Sequence, residues 1–158
     1  MKVRFVILLS LLAAAAPAAQ TPAPQPAPAA ATPKPLTSVV FFDHAATAEA
    51  FAKATHLYDA PDFTVQGGHR EVPGQVELHD KETDVIYVLD GAATFVAGGT
   101  MIDGAVSRPG QWLGKEITGG VEHRLVKGDM ILVPAGTPHW FKSVSPQVTY
   151  YVVKIVKP

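Results

Sequence analysis

Downstream of Phe63 the hydrophobic residues come in short runs rich in Val, Ile, Leu, Phe and Tyr, separated by Gly, Pro and Asp. The runs fall at Phe63 to Gln66, Gly74 to His79, Val85 to Leu89, Ala93 to Ala97, His123 to Val126, Met130 to Val133, His139 to Val144 and Val148 to Val156. Runs of this length with turn formers between them read as strands. Their even spacing predicts an all-β domain, an antiparallel β-barrel or jelly roll, because closure removes the exposed edges that a flat sheet would leave. One short N-terminal helix precedes the strands, since Asp43 can cap the Ala-rich stretch from Ala45 to Ala54. Between Gly98 and Gly120 a Gly-rich excursion holding Trp112 and Lys115 predicts a long hairpin connection near one mouth of the barrel.

Upstream of the helix the pattern changes twice. Residues 1–19 carry Lys2 and Arg4, an apolar run from Phe5 to Ala16 and the small-residue ending Ala16-Pro17-Ala18, which predicts a cleaved signal peptide and a periplasmic or secreted protein. A run of twelve residues, apolar except for Ser10, falls short of the roughly twenty needed to span a bilayer, so no membrane association is expected after cleavage. Residues 20–35 interleave Pro with Ala, Thr and Gln and have no apolar periodicity, which predicts an extended linker, or a polyproline ligand. The barrel domain is then residues 36–158. Three of the thirteen basic residues precede it, leaving ten against fourteen acidic ones and a formal charge of −4, which argues against nucleic-acid binding. The absence of cysteine removes disulfides, a lipid anchor and thiolate metal ligands.

The chemistry-bearing residues concentrate in two stretches, Gly74-Gln75-Val76-Glu77-Leu78-His79 continuing through Asp84 to Gly91, and Gly128 to His139 through Pro134-Ala135-Gly136-Thr137-Pro138. Here the chain resembles the cupin superfamily, over roughly Phe63 to Val153. The second cupin motif is kept at Gly128, Pro134, Gly136 and His139, with Ser143 where an Asn commonly falls. In the first motif His79 stands at the second His position, Asp84 replaces the Glu, Glu77 replaces the first His, and Gly91 closes the pattern. The pair of motifs is far more specific than either alone. The resemblance implies a single-domain cupin with one divalent metal ion inside the barrel, and with the expected signal peptide the chain reads as a small exported cupin.

Spacing reaches the same ligands. Glu77 and His79, two apart on a strand, point to one face; Asp84 opens the next strand; and the Pro-flanked turn aims His139. Two imidazoles, two carboxylates and no sulfur suit one divalent metal ion, Fe or Mn ahead of Zn, Ni or Co. Three alternatives stay open: a three-ligand site of Glu77, His79 and His139 with Asp84 acting through water, a Glu77 carboxylate paired with Arg70, and a metal-free structural cupin. Of His69 and Arg70, one should point inward, and an inward Arg would bind a substrate carboxylate. Alternation from the ligands predicts Gln75, Ile86, Val88, Phe141 and Ser143 as inward, so Arg70, Gln75, Phe141 and Ser143 form the expected substrate-binding group. Tyr87 and Trp140 face away by the same parity, while His44, His56 and His123 read as surface residues.

Function is less constrained, because one barrel hosts many chemistries. Two readings from different classes remain beside the metal-free one: a small metalloenzyme of oxygenase, isomerase or lyase type acting on a carboxylate- or sugar-like substrate, and a non-catalytic periplasmic module that binds or senses a small ligand. The expected partner is a small molecule; the apolar ending from Val148 to Val156 suits a homodimer interface or a core strand equally.

Overall fold

A computed structural model describes residues 32–158. The expected signal peptide and most of the expected linker lie outside the described residues. Asp43 caps helix α1 (His44–Lys53) by accepting a hydrogen bond from the Ala46 N–H at 2.8 Å. Eleven strands follow: β1 (His56–Asp59), β2 (Phe63–Arg70), β3 (Val76–His79), β4 (Glu82–Ala97), β5 (Thr100–Ile102), β6 (Ala105–Arg108), β7 (Gln111–Gly114), β8 (Glu116–Thr118), β9 (Val121–Val126), β10 (Met130–Val133) and β11 (His139–Val156). The architecture is a single antiparallel β-barrel of the jelly-roll kind with one helix. Among the described residues no helix is long and apolar enough to cross a membrane.

The Gly-rich excursion is a pair of nested hairpins, β5 against β8 and β6 against β7, and β7 continues outward to pair with β3. Two long strands organise the rest. β11, of 18 residues, pairs with β2, β3 and β4, and β4, of 16 residues, pairs also with β9 and β10. The sequence reading divided each into two shorter strands; in both cases the chain continues across the division through an irregularity in the ladder.

Those irregularities change which side chains face inward. In β4 Asp84, Ile86 and Val88 are buried in alternation, and beyond Gly91 burial falls on Ala92, Ala93, Phe95 and Val96, of which Ala93 and Phe95 join the core. In β11 His139 and Phe141 are buried, and beyond the register shifts between Phe141 and Ser143, between Val144 and Val148 and between Thr149 and Tyr150 the set becomes Val148, Tyr150, Val152 and Lys154. Extra residues of this kind invert the alternation of a strand. Gly91 is required at the break, because its φ is +78° and a Cβ there would lie 2.0 Å from the Gln147 carbonyl oxygen. The core filling the barrel is Ile86, Val88, Ala93, Phe95, Leu125, Val133, Phe141, Val148, Tyr150 and Val152.

Candidate metal centre

At one end of this core, polar side chains converge from three strands. Glu77 and His79 project from β3, Asp84 from β4 and His139 from the first residue of β11, where it stands directly opposite Glu77. The turn before His139 is pinned at two points: the Gly136 N–H donates to the His79 carbonyl at 2.7 Å, and the Ala135 N–H donates to the Thr83 hydroxyl at 3.3 Å. These bonds tie the aim of His139 to the two neighbouring ligand strands.

His139 Nδ1 lies 3.0 Å from the Thr137 carbonyl, which can only accept, so the ring proton sits on Nδ1 and Nε2 presents a bare lone pair. Burial holds this imidazole below its ordinary range, against the opposing pull of the Thr137 carbonyl and the Asp84 carboxylate. The neutral ring is the form that ligates a metal. Its Nε2 is 3.5 Å from Asp84 Oδ2; His79 Nε2 is 3.4 Å from that oxygen and 3.6 Å from Glu77 Oε2. Donor atoms of Glu77, His79 and His139 all lie within 4.8 Å of one another, as do those of His79, Glu82 and Asp84.

Two imidazole nitrogens and carboxylate oxygens at these separations fit a divalent ion in chemistry and in span. One feature bears against a simple fit. The Lys154 ammonium lies inside the cluster, 2.7 Å from His79 Nε2 and 2.8 and 2.9 Å from the two Asp84 oxygens. Burial opposes ionisation of Asp84, but the His79 ring and the Lys154 charge outweigh it and hold the carboxyl below its ordinary range. Lys154 therefore already occupies lone pairs on two of the four expected ligands, while Glu77 and His139 are left to face the opening.

That opening is a cavity of about 60 Å³, enough for about four water molecules. Arg70 forms one wall. Its Nε donates to the Tyr150 hydroxyl at 3.2 Å, its Nη2 lies 3.4 Å from Glu77 Oε1, and its guanidinium carbon stands 5.2 Å from the centre of the Phe141 ring. Tyr150 in turn stacks on Phe141 at 4.8 Å, and Phe141 meets Phe95 edge-on at 4.9 Å. Burial raises the Tyr150 phenol above its ordinary range, with Arg70 pulling the other way. Arg70 both lines the cavity and pairs with Glu77, the pairing that the sequence reading set against Glu77 as a metal ligand.

Gln75 and Phe141 also line the cavity. Ser143 does not; it is exposed on β11, because the register shift after Phe141 turns it outward. His69 points away, toward the Thr149 hydroxyl at 3.1 Å, and His44, His56 and His123 are exposed. Tyr87 stacks on Tyr151 at 5.4 Å and stands outside the cavity lining, whereas Trp140, expected to face away, lines the cavity and donates its indole N–H to the Gly74 carbonyl at 2.8 Å. Lys154, Tyr150 and Glu82 were missed from sequence. Alternation counted from His139 puts residues 150 and 154 outside, and only knowledge of the irregularities within β11 would have reversed that count.

The cupin family's sequence profile matches residues 74–158, more than half of the chain, and the chain belongs to the cupin family. An acireductone dioxygenase of Leptospira biflexa is 34% identical over 98 residues, covering 56% of this chain and 44% of that protein. The chain thus spans less than half the length of the curated relative it matches. Among solved structures, a Bacillus halodurans protein superposes with a TM-score of 0.54 at 14% identity, covering 78% of this chain and 86% of that one. A conserved Klebsiella pneumoniae protein with a double-stranded β-helix domain gives a TM-score of 0.47 at 15% identity, with coverages of 65% and 75%. The structural likenesses concern the fold.

Proposed function

We propose that this cupin is a small exported metalloenzyme of oxygenase, isomerase or lyase type, holding one divalent ion on Glu77, His79, Asp84 and His139 and a small carboxylate- or sugar-like substrate against Arg70. The observation that carries the reading is the buried His139 ring, proton fixed on Nδ1 by the Thr137 carbonyl and bare Nε2 aimed where Asp84 and Glu77 converge. Ligand histidines are held this way, their second nitrogen donating to a carbonyl or carboxylate. The likeness to an acireductone dioxygenase supports the oxygenase branch, and the nitrogen and oxygen donor set without sulfur favours Fe or Mn as the ion.

A bound ion would supply Lewis-acid polarisation of substrate oxygens. The chain's own residues do the rest. Arg70, braced by Tyr150 and Phe141, offers N–H donors to a carboxylate and fixes its orientation. The Tyr150 hydroxyl accepts from Arg70 and keeps its own proton free to donate to a ligand oxygen. Ile86, Phe141 and Val152 close the apolar side of the cavity and limit water. The experiment is purification from the periplasm with metal analysis, followed by dioxygen uptake on a panel of small oxygenated acids. Stoichiometric iron or manganese with turnover is expected; a chain without metal that turns nothing over would sink the reading.

A second reading, a non-catalytic periplasmic binding or sensing cupin, is favoured by the Lys154 ammonium among the donors, which offers a cation without any metal. The same metal analysis separates the two.

A further inference from the structure

We propose that Lys154 is a built-in competitor for the metal site: its ammonium and a divalent ion take the same donors, so the ion enters only by displacing the Lys154 side chain. The inference rests on the proposed metal centre and concerns how tightly that centre holds its ion.

The geometry leaves no room for both. Lys154 Nζ is 2.7 Å from His79 Nε2 and within 2.9 Å of both Asp84 oxygens. The His79 lone pair that would face an ion is thus already accepting a proton from the ammonium. An ammonium can only donate, so His79 Nε2 accepts and the ring proton falls on Nδ1, which has no hydrogen-bond partner; Glu82 Oε2 stands 3.6 Å from it. Nor is Lys154 there by chance of a flexible surface chain. It stands directly opposite Asp84 in the β4–β11 ladder and is only 9% exposed.

Charge points the same way. Glu77, Glu82 and Asp84 against Arg70 and Lys154 leave the cluster one negative charge, and a divalent ion added beside the ammonium would turn it to one positive charge. Without Lys154 the cluster carries two negative charges, which a divalent ion neutralises. Two like-signed cations within a few ångströms in a buried site repel strongly. Without any cation, the buried carboxylates would be uncompensated. Lys154 thus removes one of the two net negative charges that the empty cluster would otherwise carry and lowers its affinity for metal.

The test titrates Mn(II) calorimetrically into chelator-stripped full chain, comparing the parent with Lys154→Met. The variant should bind one ion at least about tenfold more tightly, and His139→Ala in the Lys154→Met background should abolish that binding. Equal or weaker binding by Lys154→Met overturns the competition while leaving the metal centre intact. Binding that survives His139→Ala, or no binding by either protein, overturns the metal centre and the competition with it. A second measurement needs no substitution. Acylation of Lys154, read by mass spectrometry, should rise when Mn(II) is added to the parent, and an unchanged labelling at saturating Mn(II) overturns the displacement.

Discussion

The His139 ring and the Thr137 carbonyl form a hydrogen bond at 3.0 Å that closes the turn leading into β11 and decides which nitrogen faces the cavity. Because the turn is also bonded to His79 and Thr83, its geometry does not depend on the imidazole. His139→Ala should therefore keep a cooperative thermal transition and lose at least about tenfold in Mn(II) retention. Metal analysis after dialysis, beside a melting curve, measures both; retention equal to the parent's excludes His139 from the ligand set.

Arg70 is held by three partners, Tyr150, Glu77 and Phe141, and is the more exposed of the two cations that line the cavity. Arg70→Met should weaken small carboxylates by at least about tenfold, since hydrogen bonds to charged groups contribute about 1.5–3 kcal/mol. Thermal-shift titration with a panel of short carboxylic acids reads the effect. Arg70→Lys should recover it only in part, because an ammonium cannot reproduce the planar fork.

Phe95 is fully buried, edge-on to Phe141 and stacked on the His139 ring at 5.9 Å. Phe95→Ala should cost about 3–5 kcal/mol in urea unfolding. A loss below about 1 kcal/mol would mean that the barrel repacks around the cavity.

The Tyr150 ring lies across Gly68, its cross-strand partner, so that a Cβ on Gly68 would come 2.3 Å from the ring. Gly68→Ala should destabilise by about 1–3 kcal/mol. Because Tyr150 braces Arg70, the same variant should lose carboxylate binding, and a parent-like titration would show that the ring shifts without releasing Arg70.

Burial holds the Tyr150 phenol above its ordinary range. The folded state then keeps this proton after the unfolded chain, with Tyr near 10, has lost it. Stability is fully present below that pH and falls as pH rises beyond it, and Tyr150→Phe should flatten that alkaline loss. Unfolding at a series of alkaline pH values measures the slope; equal slopes in the parent and Tyr150→Phe would mean that Tyr150 titrates like a free phenol.

Much of the fold is legible in the sequence because turn chemistry marks strand ends: Asp43 starts the helix and the Gly and Pro clusters separate nearly every strand. Glu77, His79 and Asp84 are legible as candidates because their spacing is local, within a strand or across one turn, and His139 because its own Pro-flanked turn marks it in the second motif. Lys154 and Tyr150 are not. They join the cluster through long-range register, across irregularities that leave no turn signal near Phe141 or Thr149. Ser143 fails for the same reason, being counted along a strand that does not keep its alternation. The Gly-rich excursion, expected as one long hairpin connection, folds as two nested hairpins, β5 with β8 and β6 with β7.

The paired breaks at Gly91 in β4 and between Val144 and Val148 in β11 act as a phase corrector for the barrel, letting one strand deliver an imidazole near its start and an ammonium near its end to a single point. The two contributions are separately addressable. Removing one residue from the β11 break would rotate Lys154 to the outside while His139, anchored by its own turn, stayed in place. Small length changes there would convert a barrel that carries its own ammonium into one that needs an external ion without touching a ligand residue.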